Sequence, residues 1–197
     1  FPLPNYANPD PTQTSNYGAP MSVNNVDNRW MFKLDESVSS ANRMSFRFSI
    51  TPTYGKRFYF GGKDSLVDMN SWDYSIGSGV AFTDTHSFGN KANELRLGFS
   101  RSKNTRQPNE IQNSKNWYET FGLPSFLNLG MPRFNFTGAA SVVEAAANIE
   151  IDNVYQVNDI FNWVHGRHAI KLGFESQLPQ QNMVNLANMQ GNWSFSD

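Results

Sequence analysis

The residues of this chain best suited to chemistry are few, and each pattern they make is too thin for a mechanism. His165 and His168 flank Gly166-Arg167 and would offer two imidazoles to a metal ion. Such a pair asks for a carboxylate or a third histidine at readable spacing, and none accompanies it, so the two read as the sides of a turn. His86 stands two residues after Asp84, on one strand face, where the two would make an acid–base pair. No serine-nucleophile motif or second carboxylate accompanies them, and a hydrogen bond at a strand end is the simpler reading. Asp64, Asp68 and Asp73 offer the clustered oxygens that calcium favours, but their spacing departs from the Asp-x-Asp-x-Asp-Gly loop, and solvated loop charge is the default. Gly61-Gly62-Lys63-Asp64 lacks the full phosphate-cradling motif and its strand-to-helix setting. Asn135-Phe136-Thr137 and Asn192-Trp193-Ser194 fit the glycosylation acceptor pattern, and both read as chance. The expectation is therefore of no catalytic residue, no cofactor, no metal and no enzyme. What remains are aromatic residues in long irregular segments. Trp72, Tyr74, Trp117 and Tyr118 offer flat faces for stacking and are the candidate loop contacts to a ligand.

The elements that must carry these residues are strands. Trp30, Phe32 and Leu34 alternate with Arg29, Met31, Lys33 and Asp35. After the polar stretch from Glu36 to Asn42, Met44, Phe46, Phe48 and Ile50 alternate with Arg43, Ser45, Arg47 and Ser49. The period is two, as in a strand; a helical stripe would have Arg43, Arg47 and Ser49 fall across it. A second hairpin enters through Val80 and Phe82, reverses at Phe88-Gly89-Asn90-Lys91, and leaves with Leu95, Leu97 and Phe99 opposite Glu94, Arg96, Gly98 and Ser100. The third runs from Val154 to Val164, turns at His165-Gly166-Arg167-His168, and returns with Ile170, Leu172 and Phe174 against Lys171, Gly173 and Glu175. Gly166 can take the positive φ that a tight reversal needs. Trp193 and Phe195 begin a candidate seventh strand.

Between the hairpins lie segments 51–78, 102–153 and 176–190. Loops beyond about 12 to 15 residues call for a reason in a compact domain. Transmembrane barrels supply one, with short turns on one side, long loops on the other and strands of about 9 to 11 residues. No run of about 18 apolar residues exists, which excludes a transmembrane helix. The absence of cysteine removes disulfides and thiolate metal sites, and a net charge of −1 with no basic block gives no reason to expect nucleic acid. Residues 1–23, rich in Pro and Asn, are expected to be irregular, and 24–197 to form a partial β-barrel. Gly122-Leu123-Pro124 and Gly130-Met131-Pro132 punctuate the longest loop, and Ala139 to Ala147 has the composition of one or two helical turns.

Alternation alone does not say which face is enclosed, because a soluble barrel buries its apolar side and a membrane barrel turns it outward. Here the polar side decides. Arg29, Lys33, Asp35, Arg43, Arg47, Glu94, Arg96, Lys171 and Glu175 are large and charged, and suit a wide, wet lumen. Trp30, Phe88, Tyr155, Phe161, Trp163 and Trp193 lie near strand ends, where a barrel places its interfacial girdle. The fold class expected is all-β: an antiparallel up-and-down meander, part of a transmembrane β-barrel with long outer loops. Six or seven strands with bare edges cannot close, and a start at Phe1-Pro2-Leu3-Pro4 carries no leader, so the chain reads as an excerpt.

The order of several weak motifs adds a resemblance. Asp27-Asn28-Arg29, Arg43 through Ser49, Asp84-Thr85-His86-Ser87-Phe88, Asn93 through Phe99, Gly122-Leu123-Pro124, Phe134 through Gly138, and Asn153 through Gly173 come in a sequence and spacing similar to the barrel of TonB-dependent outer-membrane receptors. The subgroup it most resembles carries a carboxypeptidase-regulatory-like domain at its N-terminus. That resemblance covers about residues 24–196. It implies a barrel of about 22 strands around an N-terminal plug, driven through the plug by an inner-membrane complex, and a location in the bacterial outer membrane. This stretch matches barrel wall, with no plug and no energy-coupling box. The implied function is nutrient binding and import. The partners expected are outer-membrane lipid, the remaining strands and plug of the parent barrel or other chains at the strand edges, and an inner-membrane energy-coupling protein acting through the plug. Readings from other classes are a soluble all-β glycan-binding module and a structural protein that pairs through its edges in a surface assembly.

Overall fold

The computed structural model describes residues 23–57, 71–108, 116–124, 131–137, 142, 147–186 and 189–196. Most of them form one antiparallel sheet. Its strands are β1 (Asn25–Asp27), β2 (Trp30–Glu36), β3 (Asn42–Arg57), β4 (Ser71–Phe88) and β5 (Lys91–Pro108), joined by β7 (Asn148–His165) and β8 (His168–Asn185). They pair in chain order, so the sheet is an up-and-down meander, as the alternation predicts. β1 and β2 share the partner β3 in one continuous register, Asp27 opposite Thr53 and Trp30 opposite Ile50. The break between them has a chemical cause. Asn28 N–H donates to Pro52 O at 3.2 Å, but Pro52 has no N–H to give back, so one rung of the ladder is missing there.

The three predicted reversals are present, and two of them are two-residue turns. Gly89 and Gly166 take φ of 65° and 61° as the first residues of those turns. That is the left-handed region open to glycine at little cost. In the first hairpin Ser39 Oγ accepts from the backbone N–H groups of Ala41 and Asn42, which closes the short polar loop locally.

Strand length departs from the sequence reading. β4, β5, β7 and β8 each run 18 residues, and β3 runs 16, so much of the segments 51–78, 102–153 and 176–190 is strand rather than loop. Beyond those stretches the inner face stays polar while the outer face mixes Tyr54, Trp72, Tyr74, Ile76, Ile149 and Ile151 with Ser78, Arg101 and Lys103, and continuous backbone pairing, such as Asp73 with Arg106 and Asn104 with Glu150, carries the sheet onward.

A second, two-stranded sheet does not pair with this wall among the described residues. β6 (Arg133–Phe136) and β9 (Asn192–Phe195) pair in parallel, and α1 (Trp117–Thr120) lies nearby with Asn116 as its N-cap, accepting from Glu119 N–H at 3.2 Å. Trp193 and Phe195 are therefore in a strand, but one that pairs with β6 and not with the edge of the wall. Trp117, Met131 and Val142 form its buried cluster, with Phe134 packed against it. Gln190 is buried and donates to Met131 O at 3.0 Å. Gly191 enters β9 with φ of 79° and passes under the Trp193 ring, where an added Cβ would sit 2.2 Å from a ring carbon. Gly191→Ala is expected to destabilise this unit by about 1 to 3 kcal/mol while leaving the wall intact. Hydrogen exchange that accelerates around Trp117 and Phe134 but not in β5 and β7 would show it. The 1–23 segment, most of Ala139 to Ala147, and Gly61 to Asp64 lie outside the described residues.

Candidate functional site

The register assigns every strand residue to one of two faces. One face carries Leu34, Phe46, Phe82, Leu97 and Val157 in one row and Phe32, Phe48, Val80, Phe99, Tyr155 and Leu178 in the next. These side chains are open to the surroundings, with Trp30 67 %, Leu172 62 % and Leu178 65 % exposed. A monomeric protein in water rarely shows a contiguous apolar surface of this kind. The opposite face holds eight of the nine charged residues that the sequence assigns to a lumen; the ninth, Arg29, lies between β1 and β2, outside the paired register.

The sheltered space lies on the polar side. Three recesses among the described residues, of 760, 500 and 350 Å³, are lined chiefly by the polar face. That is the distribution of a membrane barrel wall, whose polar face meets the lumen and whose apolar face lies open to lipid. A water-soluble barrel has the reverse arrangement.

On the outer face the apolar rows are bounded at both ends. Near the two-residue turns, Phe88 packs against Phe161 at 6.3 Å and against His86 at 5.5 Å, Trp163 against His165 at 5.1 Å, and Lys91 lies over the rings of Phe88 and Trp163. One step further in, Asp84 and Asp159 each accept from an asparagine, Asn42 and Asn93, at 2.8 Å. At the other boundary, Ser78, Arg101, Asn153 and Gln180 follow the apolar rows. From Lys91 to Arg101 the strand rises about 34 Å, or about 24 Å of height at a tilt near 45°. An outer-membrane barrel presents an apolar band of about 25 Å. Among the described residues no helix is long and apolar enough to cross a membrane. The crossing is made by strands.

The inner face has three levels. At the turn end, Lys33 lies opposite Arg47, and Asp35 accepts from Lys33 Nζ at 2.7 Å, which offsets the like charges; Arg96 pairs with Glu94. At mid-height Gly77, Gly79, Ala81, Gly98, Ser100 and Ser102 line a smooth trough between Arg47 and Asp152. At the long-loop end the 760 Å³ recess collects Asp27, Ser75, Asn104, Asn148 and Glu150 around the ion pair of Asp73 with Arg106, 3.0 Å apart. Ser75 Oγ donates to Asn104 Oδ1 at 2.7 Å and Gln181 Nε2 to Glu150 Oε1 at 2.9 Å. A ledge of carboxylates, amides and hydroxyls can hold a polar solute by hydrogen bonds. Single-residue motifs miss it, because it is built from five strands; its signal in the sequence is the polar alternation at the far end of each.

The candidate chemistry is distributed otherwise than in a site. His165 and His168 are paired across their turn, and Asp84 and His86 are bridged by Asn42 Nδ2, 3.2 Å from His86 Nδ1. Asp73 serves Arg106, while Asp64 and Asp68 lie outside the described residues. Asn135 and Asn192 meet each other, with Asn135 Nδ2 donating to Asn192 Oδ1 at 2.6 Å across β6 and β9. Among the described residues no three His, Cys, Asp or Glu side chains gather closely enough for a metal.

The four aromatic candidates divide into two places. Trp72 and Tyr74 open β4, not a loop, and stand on the outer face, where Tyr54 stacks on Trp72 at 5.0 Å. Trp117 and Tyr118 are in α1 and only 6 % and 7 % exposed. Burial pushes the Tyr118 phenol above its ordinary range. Their rings face protein, so in this conformation they hold a loop unit together.

A sheet with its recesses on a charged face, an open apolar face opposite and a band of bilayer height is the wall of a transmembrane β-barrel. The family described as outer membrane beta barrel domain matches residues 1–197, and the chain belongs to that family. Its place is the bacterial outer membrane. A search of curated proteins found no match.

Proposed function

We propose that this chain is a section of the wall of a TonB-dependent receptor that binds a polar nutrient and imports it across the outer membrane. The observation that carries the reading is the inner ledge at the long-loop end, where Asp27, Asn104, Asn148 and Glu150 border a 760 Å³ recess on the lumen side. A bound solute there would meet hydrogen-bonding groups from five strands at the entrance of the barrel. Support also comes from the strand-and-turn order from Asp27 to Gly173. Wall and ledge perform no covalent step in this reading.

Among the described residues the two edges of the sheet, β1 with β2 on one side and β8 on the other, have a partner on one flank only. An unpaired backbone group costs several kcal/mol in hydrocarbon, so further strands of the parent barrel continue the wall at both edges. The smooth trough of Gly77, Gly79, Gly98 and Ser100 gives a plug a close approach to the wall.

Import is tested in cells. Solutes removed from the medium are compared between the parent strain and one lacking the gene, each with and without a protonophore. The expected result is a set of polar solutes whose removal needs both the gene and the proton gradient. Identical depletion by the two strains would reject import.

A further inference from the structure

On the outer, apolar face, charge is sorted by height. Near the two-residue turns this face carries carboxylates, Glu36, Asp84 and Asp159, as well as cations; among the described residues above the apolar rows it carries only cations. Two of these, Arg101 and Lys103, stand on β5 directly above Phe99, two residues apart and on the same side of the sheet. Their Cα atoms are about 7 Å apart. Neither makes an ion pair among the described residues. Arg101 is nevertheless held in place: its Nη1 donates to Asn153 Oδ1 at 3.0 Å, and Asn153 Nδ2 donates to Gln180 Oε1 at 3.2 Å. Asn153 is 6 % exposed, so a buried amide fixes one edge of the guanidinium and leaves its remaining donors turned outward.

We propose that Arg101 and Lys103 bind a phosphate group of the anionic glycolipid in the outer leaflet, with Asn153 and Gln180 as positioning residues. Three features point to this ligand. The cations sit one and two rows above Phe99, Arg101 level with Ser78 and Asn153 and Lys103 level with Ile76 and Ile151, at headgroup height with the long-loop end outside. Phe99 and Tyr155, ring centroids 5.0 Å apart, lie just below and give acyl chains a flat surface. Two neighbouring cations with no counter-charge among the described residues repel each other, and a shared phosphate relieves that repulsion through charge-assisted hydrogen bonds. Membrane lipid is the only abundant anion at that depth.

The test uses the full-length protein extracted from outer membranes in mild detergent, with retained lipid measured by mass spectrometry. Wild type and the charge-conserving R101K/K103R variant are expected to keep the phosphorylated glycolipid, and R101Q/K103Q to lose at least tenfold. R47Q, on the lumen face, is expected to match wild type. In a second arm, delipidated wild-type protein is offered phosphorylated or dephosphorylated glycolipid, or inorganic phosphate alone. Selective retention of the phosphorylated lipid supports the site. Equal retention by R101Q/K103Q, equal binding of the dephosphorylated lipid, or binding of inorganic phosphate without lipid overturns it. Should the glutamine variant not assemble, the second arm decides on wild-type protein alone.

Discussion

Leu97→Arg is expected to cost about 2 to 4 kcal/mol of barrel stability, although Leu97 is 41 % exposed. In a water-soluble sheet the same exchange at a half-open surface position would fall within about 0.5 kcal/mol. The difference is the solvent. Leu97 lies in the row of Phe46, Phe82 and Val157, near the middle of the apolar band, so its exposed surface meets hydrocarbon and a guanidinium there has nothing to bond. Its neighbour Arg96 points to the lumen, and Arg96→Gln should be close to neutral. The measurement is the fraction of each variant recovered from outer membranes in the compact form that resists unfolding in detergent. A Leu97→Arg protein that assembles as well as the parent would sink the assignment of the two faces.

Trp117→Ala is expected to have a still larger local effect, about 3 to 5 kcal/mol, the range for removing a buried tryptophan. Trp117 stacks on Phe121 at 5.7 Å and packs with Met131 and Val142, and few other buried apolar side chains are available to compensate. The wall shares none of these contacts. Limited proteolysis should therefore cut the variant between α1 and β6 at once, while the β3 to β8 sheet stays protected. If the loop unit remained as resistant as in the parent, the tryptophan would be a ligand platform rather than its keystone.

How far the sequence revealed this molecule follows from where its two faces differ chemically. The pair Phe46 and Arg47, or Leu97 and Gly98, betrays a strand because neighbouring residues meet lipid and water in turn. Above the membrane both sides meet water: Ser78 and Arg101 stand on one face, Gly77 and Asp152 on the other. Along β5 the alternation fades from Arg101 to Pro108; along β4 and β7 it persists in Trp72, Tyr74 and Ile76 and in Ile149 and Ile151, but Gly77-Ser78-Gly79 and Asp152-Asn153 cut those short stretches off from the clear ones, so they read as loops although pairing continues to Pro108 and Asn185. Length there is decided by neighbours in space, which a local pattern does not contain. The parallel pairing of β6 with β9 is hidden for the same reason, since its two four-residue partners are far apart in the chain. Trp117 and Tyr118 look like exposed platforms in a polar stretch; Trp117 is covered by Met131, Val142 and Phe134, which no short-range period connects to it. The inner ledge is legible in composition but not in membership, because each strand donates only one or two of its residues.

The 18-residue strands are about 60 Å long, while spanning the band takes about 35 Å at their tilt. The surplus lies on the side of the long loops. A stockade of paired strands thus stands clear of the cell surface, and an antibody or a phage tail approaching from outside meets its stiff palisade before it meets lipid. The posts themselves are held to their spacing by the hydrogen bonds between them.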